Sequence, residues 1–157
     1  MPATTLKEFL DRHEVPYVSI RHAPAYTAQE TAALAHIPGR EIAKTVMVKV
    51  DGRLAMAVLP ASEHVDMRKL RAAMGAEIVE LATEMEFLDR FPDCEPGAMP
   101  PFGNLYDLHV YAADDLAEEE EIAFNAGTHT ELIRMPYRDF QRLVGPTVIT
   151  FAAPTTA

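Results

Sequence analysis

The stretch that decides the fold is EIAKTVMVKVDGRLAMAVLPA, residues 41–61. Two runs of apolar, β-branched and small residues flank Asp51-Gly52, a dipeptide suited to the left-handed backbone of a two-residue hairpin turn. With that turn Val50 stands opposite Arg53, and counting back places Lys44 opposite Leu59. Side chains alternate along a strand, so Lys44 shares its face with Val46, Val48 and Val50, whereas Lys49 falls on the face of Thr45 and Met47. An ammonium in line with three valines has three physical outlets. It pairs with a carboxylate, snorkels to water at the strand end, or faces a cavity that receives an anion or a carbonyl. Spacing alone leaves all three open.

Toward the N-terminus, Thr5-x-x-Glu8 reads as a capping box ahead of Leu6, Phe9 and Leu10, which predicts a helix to about His13 that Pro16 ends. PYVSIRH (16–22) alternates as a short strand. Thr27-x-x-Glu30 caps a second helix over 28–37, closed by Pro38-Gly39. Toward the C-terminus, Asp66 caps a helix that stops at Gly75, residues 76–81 read as a strand, and Thr83-x-x-Glu86 caps a helix ending near Phe91-Pro92. Then comes PDCEPGAMPPFGN (92–104), an irregular segment that is either a connector or a site. Within it Gly97 lets backbone approach a ligand, and Pro100-Pro101 removes two N–H donors while stiffening the chain. Three strands follow (105–112, 120–127 and 129–135), then a helix stopped by Gly145; the tail 148–157 carries no firm assignment. Helices interspersed with hairpins exclude a purely parallel doubly wound sheet. The expectation is a single α+β domain over 1–157, with a mixed, mostly antiparallel sheet curled into a barrel-like core and helices around it.

Composition narrows the function classes. A chain of 157 residues, 48% hydrophobic and 24% charged, buries roughly two-thirds of its unfolded surface without disulfides or structural metal. No apolar run approaches the ~18 residues of a membrane span, and the charged, amphipathic opening MPATTLKEFLDRHEV does not read as a signal peptide. A cytoplasmic protein is expected. The single cysteine, Cys94, excludes an internal disulfide, and the histidines at 13, 22, 36, 64, 109 and 129 lack ligand spacing, so neither metal nor other cofactor is expected. Phosphate-cradling glycine loops and the Gly-x-Ser-x-Gly elbow are absent from the sequence. Cys94 stands between Asp93 and Glu95, whose charges raise a thiol pKa and make it a poor nucleophile.

A net charge of −10 argues against nonspecific binding to DNA or other nucleic acid. The acidity is uneven, however: residues 1–78 hold 10 Lys/Arg against 9 Asp/Glu, and residues 79–157 hold 4 against 15. Arg40, Lys44, Lys49, Arg53, Arg68, Lys69 and Arg71 thus form either a local basic face or ordinary solvated charge. His129 stands at the start of a predicted strand beside a glycine turn. Tyr26 and Thr27, ahead of the second helix, read most simply as turn and N-cap.

The order His22-x-Pro-x-Tyr-Thr, AKTVMVK (43–49), VDMRKLRAAMG (65–75), Gly97-x-x-x-Pro101 and FNAGTHTELIRM (124–135) resembles the YbaK/prolyl-tRNA synthetase-associated editing domain family, over about residues 5–145. The resemblance implies a free-standing aminoacyl-tRNA deacylase acting in trans on the 3′ end of a mischarged tRNA. Transient association with translation factors or a synthetase would follow, with neither DNA nor membrane as partner. It implies Lys44 as the functional lysine and Gly97 and Pro101 as the ends of the catalytic loop. Tyr26, Thr45, Met47, Ala98, Met99, Pro100 and His129 become its substrate-binding residues. With no triad or metal expected, it also implies that a ribose hydroxyl of the tRNA helps activate water, leaving positioning to the protein. Met47, Met99 and the proline pair as pocket walls favour a small amino acid such as alanine on tRNA(Pro). The rival classes are a noncatalytic module of the same fold that binds a tRNA end or nucleotide, and a hydrolase of small esters or thioesters.

Overall fold

The structure is a computed structural model that describes residues 4–155. In chain order its elements are α1 (Thr4–Arg12), β1 (Val18–Arg21), α2 (Ala28–Ala35), β2 (Ala43–Val50), β3 (Arg53–Pro60), β4 (Glu63–Val65), α3 (Met67–Met74), β5 (Val79–Leu81), α4 (Glu84–Phe87), β6 (His109–Ala113), β7 (Glu121–Asn125), β8 (Glu131–Pro136), α5 (Tyr137–Val144), β9 (Thr147–Ile149) and β10 (Ala152–Pro154). Hydrogen bonding sorts the strands into a five-stranded sheet β5-β2-β3-β6-β9, a three-stranded sheet β1-β8-β7 and the pair β10-β4. The β3–β6 and β6–β9 ladders are parallel and the others antiparallel.

The mixed α+β class holds, but the expected barrel does not. A barrel needs a continuous ladder around the ring, whereas the two larger sheets are joined by one isolated bridge, Ile42 to Ala123. The 3-10 turn Gly39–Glu41 bends the chain immediately before Ile42, so the extended run that could pair with β7 is cut short. No helix among the described residues is long and apolar enough to cross a membrane.

The β2–β3 hairpin has the register its turn dictates. Asp51 and Gly52 take φ of 48° and 86°, Val50 pairs with Arg53, and Lys44 pairs with Leu59. Each face of this hairpin builds a separate core. Met47, Met56 and Val58 pack with Phe102, Phe124, Met135 and Phe140, and α1 joins through Leu6 and Leu10. Val48, Ala55, Ala57 and Leu59 pack with Phe151 and with Leu70 of α3. A third cluster lies under α2, where Ala32 meets Ile37, Ile42 and Leu132. Fully burying each large apolar side chain contributes about 1.5–3 kcal/mol. Lys44 therefore lies on the α3 side of the sheet.

Element ends follow local chemistry, with corrections. The Asp66 carboxylate accepts from the Arg68 and Lys69 amides, and Gly75 stops α3 in the left-handed region. Thr83 and Glu86 form the expected capping box, yet α4 is a single turn that continues as a 3-10 turn, Leu88–Arg90. Thr5 is not a cap, because α1 already begins at Thr4. The second helix stops at Ala35, not Ile37, because His36 turns left-handed and its N–H bonds back to Ala32 and Ala33. The strand expected over 105–112 begins only at His109, after a 3-10 turn at Gly103–Leu105. The tail yields β9 and β10, three-residue strands held by distant partners in β6 and β4. Lys49 pairs with Glu86 and with Glu80, its cross-strand neighbour in β5. Glu131, 4% exposed, is satisfied by Lys7 at 2.6 Å and by the Ser19 hydroxyl.

Candidate functional site

The Gly97 segment is strapped onto the turn between β7 and β8. The Glu95 amide donates to the Gly127 carbonyl at 2.8 Å, and the Gly127 amide donates to the Ala98 carbonyl at 2.9 Å. The Glu95 carboxylate accepts from the His129 amide at 2.7 Å, and His129 Nε2 lies 2.8 Å from the Pro96 carbonyl. A carbonyl only accepts, so Nε2 carries a proton, and in the neutral ring Nδ1 is then an acceptor. That Nδ1 is buried and has no partner among the described residues. Gly97 takes φ of 83°, where a side chain is strained, and its Cα faces the His129 ring. The exposed Tyr26 ring lies 5.0 Å from His129, tilted across it.

Beneath the strap the chain turns inward. Ala98, Met99, Pro100 and Pro101 are buried, and Met99, 5% exposed, shares a core with Met47, 4% exposed. Thr45, on the Met47 face, has a buried hydroxyl with no hydrogen-bond partner among the described residues. The structure thus brings Tyr26, Gly97 and His129 into contact, with Met47 and Met99 in one core below.

Lys44 belongs to a different set of contacts. It is half-buried and makes no hydrogen bond or ion pair among the described residues. Burial pushes its pKa down, and the Glu63 carboxylate of β4 pulls the other way. Burial first, then a hydrogen bond to Asp115 and the charges of Asp115 and Asp114, push Glu63 up to about 7, against the pull of Lys44. Glu63 Oε1 and Asp115 Oδ1 are both buried without a donor. Two ionised carboxylates only accept; one shared proton turns their repulsion into a hydrogen bond, which adds to burial in holding the proton on Glu63. Near neutral pH Glu63 is therefore only partly ionised, so its charge offsets the effect of burial on Lys44 only in part. Cys94 is pushed up to about 11, mainly by burial, with Asp93 adding to the effect.

Four residues here escape a reading of motifs. Glu95 and Gly127 hold the strap, and Glu63 and Asp115 set the surroundings of Lys44. Glu95 and Gly127 adjoin residues already singled out. Glu63 and Asp115 carry no signal of their own: Glu63 follows the end of β3, whose Leu59 pairs with Lys44, and the β3–β6 pairing brings the chain after β6 to the same end.

Comparison with known proteins places the chain in a class. Residues 22–143 match the model of the aminoacyl-tRNA editing domain family. The chain is 32% identical over 114 residues to the multifunctional Ser/Thr-tRNA deacylase ProXp-y of Escherichia coli strain K12, covering 69% of this chain and 68% of that protein. It is 29% identical over 118 residues to the proline–tRNA ligase of Staphylococcus saprophyticus, a match to 74% of this chain but only 20% of the ligase. A crystal structure assigned as a candidate trans-editing enzyme for prolyl tRNA synthetase superposes with a TM-score of 0.81 over 97% of each chain, at 21% identity. At that identity the likeness shows the fold alone. The chain belongs to the aminoacyl-tRNA editing domain family, and so to the class of aminoacyl-tRNA hydrolases.

Proposed function

We propose that this chain edits in trans, hydrolysing the ester that joins a small, wrongly attached amino acid to the 3′ end of a tRNA, in the cytoplasm where charged tRNA is used. The observation that carries the reading is the Gly97 strap, pinned through Glu95 and Pro96 to His129 in a member of the editing family. Water attacks the ester carbonyl and gives up a proton, the carbonyl oxygen becomes an oxyanion, and as that oxyanion collapses the C–O bond breaks and the ribose oxygen leaves with a proton. Free amino acid and intact tRNA result. Lys44 holds phosphate, ribose or carbonyl oxygen by its charge, the backbone of Gly97 to Pro101 orients the amino acid, and the neighbouring ribose hydroxyl assists the water. Preorganised donors of this kind lower the barrier because they need not reorganise as charge develops.

Alanine on tRNA(Pro) is the substrate favoured by the two buried methionine walls, since an apolar pocket rejects bulk more readily than it separates small groups. Serine or threonine is a second reading, supported by the His129 Nδ1 acceptor that a substrate hydroxyl would satisfy. The E. coli relative, a Ser/Thr-tRNA deacylase by name, points the same way. A panel of mischarged tRNAs tests both readings. Release of amino acid that falls by about 100-fold or more in Lys44→Ala supports editing, whereas no release above the spontaneous rate from any tRNA removes it. A Ser/Ala rate ratio that drops in His129→Ala would support the hydroxyl reading, and an unchanged ratio would remove it.

A further inference from the structure

The seven cations from Arg40 to Arg71 do not remain one face. Arg40 is drawn to Glu41 at 3.7 Å and Glu119 at 3.6 Å, Lys49 is drawn to Glu80 and Glu86, and Lys44 stands beside Glu63. Arg53 is exposed at the start of β3, and Arg68, Lys69 and Arg71 are left exposed together on one helix, α3. They make no ion pair among the described residues. In a chain of net charge −10, three such cations within four residues are not explained by stability, since exposed charges contribute little and like charges on one helix repel.

The rotation of α3 is set by Leu70, which is fully buried against Val48, Ala55, Ala57 and Leu59. Arg68 and Arg71 then flank an open groove of about 440 Å³ floored by Ala72, Gly75 and Ala76. Small residues there let a backbone approach closely while guanidinium groups reach phosphate oxygens. The nearest carboxylate in sequence, Asp66, is occupied by the Arg68 and Lys69 amides as the helix cap. Glu77 lies beyond the Gly75 stop, its amide held by Asp51. The helix also begins where the Lys44 surroundings end: α3 follows β4 directly, β4 carries Glu63, and Leu59 pairs across the ladder with Lys44. About 10 Å of strand and about 12 Å of helix cover this course.

We propose that the exposed face of α3 is the docking surface for the tRNA acceptor end, with Arg68, Lys69 and Arg71 contacting backbone phosphates and directing the 3′ terminus toward Lys44. This rests on the deacylase reading given above. The test compares wild type with the double variant Arg68→Glu/Arg71→Glu and the neutral double variant Arg68→Gln/Arg71→Gln on two substrates: a mischarged full-length tRNA and the corresponding 3′-aminoacyl-adenosine. Far-UV circular dichroism checks that each variant is folded.

The expected result is a loss of about 10-fold or more in kcat/KM on tRNA, larger for the Glu pair. The slope of log affinity against log salt should flatten by about 1 to 2, since each phosphate contact accounts for somewhat under one. Hydrolysis of the aminoacyl-adenosine should be unchanged. Equal rates on tRNA, or equal losses on both substrates, would overturn the proposal. If wild type releases nothing from any mischarged tRNA, the deacylase reading fails separately. The surface is then judged by binding of an uncharged acceptor-stem minihelix, where equal affinity of wild type and the Glu pair would overturn it.

Discussion

Lys44 shares its face with apolar side chains because strand geometry compels it, and its role depends on the charge it meets. It meets a carboxyl that is itself crowded by two aspartates. A folded-state pKa of about 7 lies above the ordinary 4.5, so Glu63 favours the folded state in acid, and that contribution is lost as pH rises from about 4.5 through about 7. Glu63→Gln removes the ionisation. The melting temperature of this variant relative to wild type should therefore rise between about pH 5 and about pH 8. A difference that does not vary with pH would assign the proton elsewhere. The raised Cys94 thiol makes the opposite kind of prediction: Cys94→Ser should leave deacylation unchanged, and the native thiol should resist alkylation near neutral pH.

Among the elements, the 92–104 segment works as a strap because two glycines in it serve different ends. Gly97 has a positive φ, so Gly97→Ala strains the backbone by about 1–2 kcal/mol, while its added Cβ would meet the His129 ring at an ordinary contact distance of 3.5 Å. The expected outcome is a loss of editing that exceeds the loss of stability, read from kcat/KM beside a denaturant titration. At Gly103 the limit is space: a Cβ would come within 2.5 Å of the Leu108 carbonyl and 2.6 Å of the Val110 side chain. Gly103→Ala should therefore destabilise by about 1–3 kcal/mol, the usual cost of overpacking, measured by the same titration. Caps and turns were legible at this level because their chemistry is local: Asp51-Gly52, Asp66, Thr83 with Glu86, Gly75 and Gly145 all act within a few residues. The strand β9, the strand β10 and the true start of β8 were not, since three-residue strands and strand ends take their state from partners far along the chain.

Across the whole molecule, α1 is tied to the three-stranded sheet by Lys7 on the buried Glu131, which also accepts from Ser19 of β1. Burial would push that carboxyl up, yet these two donors and the charges of Lys7 and Arg21 hold it below its ordinary value. Lys7→Met should lower stability by about 2 kcal/mol, as expected when a charged hydrogen bond to a buried group is cut, with the folded core otherwise unchanged. Local patterning was enough for the hairpin register, the face of Lys44, most helix stops and, through the order of its motifs, the family. Which cations were neutralised and which were left free on α3, how the Gly97 strap met His129, and why the sheets stay open depended on adjacency in space. Side-chain alternation and capping act over a few residues of chain, whereas charge pairing and sheet closure depend on strand order, which joins residues more than fifty positions apart.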